Sequence, residues 1–191
     1  TFSLVLAIGN IGFALLMAGY TRSKRHPALR VWTWSKLIVG SAYMLLWAYR
    51  ELAFPWLIVS ATTLLIVGAG LEVAAYCTFF GFSWWKRVLY PATAFALICY
   101  HAALFGGATP GAIGALISSV IIVFTGAIAF MLLRPACDSS HLRRIIGIND
   151  LLFLVAVIAH FYASAFDREL MAVTHGLTYI AGYLLMIVNG F

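Results

Sequence analysis

Residues 110–133 read PGAIGALISSVIIVFTGAIAFMLL, with Arg134-Pro135 directly behind them. No charged side chain interrupts the run. As an α-helix rising about 1.5 Å per residue it would be roughly 36 Å long. That is enough to cross the hydrocarbon of a bilayer, which is about 30 Å thick.

The rest of the chain repeats this reading. Apolar spans fall at roughly 2–20, 31–49, 56–80, 88–106, 145–166 and 170–191 on either side of 110–133, seven in all. Of the 191 residues, 64% are hydrophobic and 9% are charged. The mean hydropathy is +1.01. Soluble domains are nearer half apolar and about a quarter charged, so the solvent expected here is lipid. Open sheet edges are not viable in hydrocarbon, and these runs are too long for barrel strands. The expectation is an all-α fold, a polytopic bundle of seven transmembrane helices forming one transmembrane domain over 1–191. Phe2–Leu16 reads as the first helix and not as a signal peptide, because no Lys or Arg precedes it and more spans follow. Cys77, Cys99 and Cys137 are too scattered for a disulfide framework or a zinc knuckle.

The net charge of +6 is a topology signal, not a nucleic-acid signal. Arg22, Lys24, Arg25 and Arg30, then Lys86 and Arg87, then Arg134, Arg143 and Arg144 occupy alternate loops. The opposite loops hold only Arg50 and Arg168, beside Glu51, Asp167 and Glu169. The bias of Lys and Arg toward the cytoplasm puts the N-terminus outside and residue 191 inside. Trp32, Trp34, Trp84 and Trp85 fall at the expected inner ends, and Trp47 and Trp56 at the outer ends, as an aromatic belt requires. Pro55, Pro110 and Pro135 are expected at loop edges, with Gly106-Gly107 in a turn. Asp138, Ser139 or Ser140 would cap helix six. Small residues four apart mark expected helix contacts at Gly70/Ala74, Gly114/Ser118 and Ala172/Gly176.

Ionisable residues within a span are costly, which makes each a candidate for function. Lys36, Glu72 and Asp150 form an inner layer, with Lys36 and Asp150 roughly 8–9 Å from the expected cytoplasmic ends. One cation and two acids at similar depth could form a buried charge network, structural or switch-like. His101, His160 and His175 form an outer layer roughly 9–11 Å below the outer boundary. Imidazole ligates haem iron and divalent metals, so these three are the candidate ligands for a haem b or a metal ion; structural histidines are the plainer alternative. His26 and His141 fall in basic loops.

Three local features carry a family resemblance. Tyr20-Thr21-Arg22-Ser23-Lys24-Arg25 leads into Pro27-Ala28-Leu29-Arg30-Val31-Trp32-Thr33-Trp34, a basic loop entering an aromatic helix start. Trp47-Ala48-Tyr49-Arg50 is followed by Phe54-Pro55-Trp56-Leu57-Ile58-Val59-Ser60. Leu185-Met186-Ile187-Val188-Asn189 closes the last span. This layout resembles the N-terminal membrane sensor regions of bacterial GGDEF-type diguanylate cyclases. The resemblance implies a sensory domain in the bacterial inner membrane, working as a homodimer. It also implies a cytoplasmic GGDEF domain following residue 191 in the same polypeptide, with Asn189 at the signal output. The GG(D/E)EF motif is absent from this chain, so no catalytic residue carries over and the chain is not expected to be an enzyme by itself. Two other readings stay open: a haem- or metal-binding redox protein using the outer histidines, and a small proton-coupled transporter using the inner charges. No clear internal repeat supports the transporter.

Overall fold

The computed structural model describes residues 2–21, 26–82, 85–134, 141–166, 174, 176–178, 180–182 and 184. Among the described residues six helices run in order: α1 Phe2–Thr21, α2 Pro27–Leu52, α3 Pro55–Phe79, α4 Trp85–Phe105, α5 Pro110–Leu133 and α6 His141–Phe166. No strand occurs among the described residues. Most of the expected seventh span lies outside them, and its described residues are helical.

Local chemistry sets the helix ends. Pro27, Pro55 and Pro110 each open a helix, where a missing N–H costs nothing and the fixed φ suits the first turn. Pro55 and Pro110 are therefore first helical residues, at the edges of their loops as expected. At α5 the Thr109 hydroxyl accepts from the Ala112 N–H at 3.3 Å. Two turns close their helices on left-handed glycines, Gly81 (φ 72°) and Gly107 (φ 73°). Phe82 N–H reaches the Cys77 carbonyl at 2.9 Å, and Ala108 N–H reaches that of Ala103 at 2.9 Å. Carbonyls that the ends of α3 and α4 would otherwise leave unpaired are satisfied in this way. Pro135, Asp138, Ser139 and Ser140 lie outside the described residues.

The chain forms two compact units, Thr1–Thr93 and Ala94–Phe191. In the first, α1 packs on α2 and α2 on α3. A Cβ on Gly40 of α2 would lie 2.7 Å from Ile11 of α1, and one on Gly68 of α3 would lie 2.5 Å from Val39 of α2. Gly70 meets Thr93 of α4. In the second unit α5 packs on α6, with Gly111 and Gly114 against Ser164 at one end and Gly147 against Leu132 and Leu133 at the other. Two of the three small-residue pairs thus contribute a contact, through Gly70 and Gly114. Gly176 meets no neighbour within 4 Å among the described residues, and Ala172 lies outside them.

Beside an apolar core that includes Leu6, Ile66, Phe124 and Val157, many large apolar side chains are exposed and several small polar ones are buried. Leu15, Leu16, Phe95, Ile98, Val123, Phe130, Leu152 and Val155 are exposed, whereas Ser3, Asn10, Ser35, Thr62 and Ser118 are buried. Hydrocarbon gives no drive to bury apolar bulk, so small and polar residues take the contacts between helices. Polar side chains in the spans bond to their own helix: Asn10 to Leu6, Thr63 to Val59, Thr93 to Leu89 and Ser119 to Ala115. Among the described residues, five segments are long and apolar enough to cross a membrane: Phe2–Gly19, Pro55–Phe79, Trp85–Phe105, Pro110–Leu133 and Arg143–Ala165. α2 is long enough, but Trp32-Thr33-Trp34-Ser35-Lys36 makes it less apolar than the others.

Candidate functional site

Two of the three charges that depth grouped together, Lys36 and Glu72, meet between α2 and α3. Lys36 donates from Nζ to Glu72 Oε1 at 2.5 Å. Lys36 is only 6% exposed. Its ammonium also lies 5.2 Å from the centre of the Trp32 ring, one helical turn away. A charge removed from water needs an opposite charge and further partners, and here the carboxylate and the indole face supply them.

The surrounding backbone brings the pair together. Ser35 donates to the Gly68 carbonyl at 2.9 Å, a side-chain bond from α2 to the backbone of α3. The bare Gly68 lets Val39 approach. With α2 and α3 this close, a Lys on one and a Glu on the other reach each other without leaving the interface. α2 begins at Pro27, ahead of the expected 31, which puts Lys36 nine residues, roughly 13 Å, from the helix start.

Asp150 belongs to the second unit and is 2% exposed. It lies on the face of α6 that meets α5, between Gly147 against Leu132 and Leu154 beside Gly126. Depth in the sequence grouped Lys36, Glu72 and Asp150 in one layer; the ion pair observed is Lys36 with Glu72.

The outer histidines are anchored individually. The His101 ring contacts the Leu97 carbonyl through Nδ1 at 2.9 Å. A carbonyl only accepts, so Nδ1 carries the proton and the lone pair of the neutral ring is on Nε2. Tyr100 and Phe105 flank the ring, with centroids 5.1 and 6.2 Å away. His160 Nδ1 lies 3.3 Å from the Thr174 hydroxyl, joining α6 to the helical residues beyond it. His175 and Asn189 lie outside the described residues. Among the described residues, no three His, Cys, Asp or Glu side chains are gathered around one metal-sized site.

Arg143 escaped the sequence reading, which counted it only as a loop charge. Its guanidinium donates to the carbonyls of Met131 at 2.7 Å and Arg134 at 3.0 Å. It therefore neutralises the partial negative charge at the end of α5. The signal was present in sequence as a basic residue in the turn after an apolar span, but reach across nine and twelve residues is not legible from spacing.

No family model, curated protein or solved structure matches the chain.

Proposed function

We propose that this chain is the membrane-embedded sensory module of a signalling protein: seven transmembrane helices in a bacterial inner membrane, N-terminus outside and C-terminus inside. Its output is a cytoplasmic diguanylate cyclase domain that follows residue 191 in the same polypeptide. The resemblance of its loops and helix starts to such regions supplies the class. The observation that carries the mechanism is the part-buried Lys36–Glu72 pair, held between helices that touch through glycine.

Such a pair suits a switch. Paired, it fixes α2 and α3 in one register. Separated, it would leave two charges in a region of low dielectric, so intermediate separations are unfavourable and the joint prefers discrete states. A stimulus that favours one register shifts the equilibrium by its differential affinity for the two. The last helix would carry the shift to the following domain of a homodimer, where two GGDEF domains must meet to join two GTP molecules. A carrier, by contrast, needs a site that its substrate reaches, and Lys36 already has both its ion-pair and its aromatic partner.

The test is to purify the full natural polypeptide containing this chain, together with residues 1–191 alone, and to assay both with GTP. Cyclic di-GMP from the first and none from the second supports the proposal. A natural polypeptide without a cyclase domain, combined with solute flux in liposomes, overturns it in favour of a transporter.

A further inference from the structure

One end of the first unit concentrates positive charge beside aromatic rings. His26, just before α2, lies beside Phe79 at the end of α3, with the rings tilted and their centroids 6.0 Å apart, which brings the start of α2 to the end of α3. α4 starts after the short turn that follows, and its Thr93 meets Gly70 of α3. Counting along the helices from the Ser35–Gly68 and Gly70–Thr93 contacts sets Arg30 and Lys86-Arg87 level with roughly residues 73–78 of α3. All three basic residues are exposed.

The acids of this unit are placed elsewhere. Among its described residues, Glu72 is held by Lys36, and Glu51 is at the opposite end of α2. Nothing acidic among them offsets Arg30, Lys86 and Arg87. One turn further into each helix, on the same face as a cation, stands an exposed aromatic residue: Trp34 (61% exposed) after Arg30 and Tyr90 (56% exposed) after Lys86. Cations at the helix ends and amphipathic rings one turn deeper match the layering of a lipid, with its phosphate above its glycerol and upper acyl chain.

We propose that this end of the first unit is a binding site for an anionic phospholipid. Arg30, Lys86 and Arg87 take the headgroup phosphate, while Trp34 and Tyr90 lie against the glycerol region. The site is independent of the signalling reading and stands if that reading fails.

The test is native mass spectrometry of the full chain in a non-ionic detergent. The chain is titrated with phosphatidylglycerol and, separately, with phosphatidylcholine of the same acyl chains. Each basic residue near a membrane surface contributes about five-fold, so phosphatidylglycerol should be retained at roughly ten- to a hundred-fold lower concentration. That preference should shrink as salt is raised. The triple variant Arg30→Gln, Lys86→Gln, Arg87→Gln should lose it. The charge-keeping triple Arg30→Lys, Lys86→Arg, Arg87→Lys and the distant Arg50→Gln should retain it. Equal retention of the two lipids by the unaltered chain overturns the proposal, as does a preference that survives the neutralising triple in folded protein. Displacement of phosphatidylglycerol by millimolar inorganic phosphate would also overturn it, since the site would then be one for free phosphate. The comparison of lipids on the unaltered chain decides the matter even if the neutralising triple fails to fold.

Discussion

Removing one partner of the Lys36–Glu72 pair should expose how strongly it is coupled. In Glu72→Gln the carboxylate is replaced by a neutral amide of the same shape, and Lys36, 6% exposed, stays where it is. Unit charges about 4 Å apart attract by about 4 kcal/mol at an effective dielectric of 20. Leaving one charge of a buried pair uncompensated is known to destabilise by about 3–5 kcal/mol, the same range. Lys36→Met removes the other partner and should be destabilising to a similar degree. The double variant removes both charges and their desolvation together, so it should be much milder than the sum of the singles. The assay is unfolding of detergent-purified chain followed by helicity, with all four proteins compared in a double-mutant cycle. A coupling of about 2 kcal/mol or more is expected. Singles below about 1 kcal/mol each, or a double equal to their sum, would show that the charges are solvated and that the joint described here does not exist.

Three further outcomes follow from the packing. Gly81→Ala and Gly107→Ala put a Cβ on backbone at φ 72° and 73°, and each should destabilise by about 1–2 kcal/mol in the same unfolding assay. Gly111→Ala would set its Cβ 2.7 Å from the Ser164 backbone carbonyl, which cannot rotate away, so about 1–3 kcal/mol is expected; Gly12→Ala, with nothing within 4 Å, should be neutral or slightly stabilising. Arg143→Met keeps the aliphatic stem but loses the bonds to the Met131 and Arg134 carbonyls, and should destabilise by about 1–2 kcal/mol.

Much of the fold was legible because lipid imposes a simple rule. A run such as 110–133 has to be a helix if it is in hydrocarbon, and the observed α5, Pro110–Leu133, has those bounds. Boundaries slipped where polar residues extend a helix past its apolar stretch: α2 starts at Pro27 and runs on through Arg50 and Glu51. Depth, which is one-dimensional, found Lys36 and Glu72 as candidates. It could not choose between Glu72 and Asp150, because the choice depends on which helices pack together and on which face each residue lies. Ser35, Gly40 and Gly68 set that packing, yet in sequence they are ordinary small residues with no period of their own. Trp32 was read as belt and proves also to be a partner of Lys36, a role that its spacing of one turn permits but does not announce. The histidine layer rested on depth alone; His101 and His160 have separate local partners, Leu97 and Thr174.

The most direct test of the signalling account is the cyclic di-GMP level in cells making the full natural polypeptide, compared with Lys36→Met, Glu72→Gln and the double variant at matched membrane abundance. The account predicts that each single variant shifts the level several-fold in one direction and that the double variant moves back toward the unaltered protein. Levels that are identical across all four proteins, with each folded and in the membrane, would contradict it.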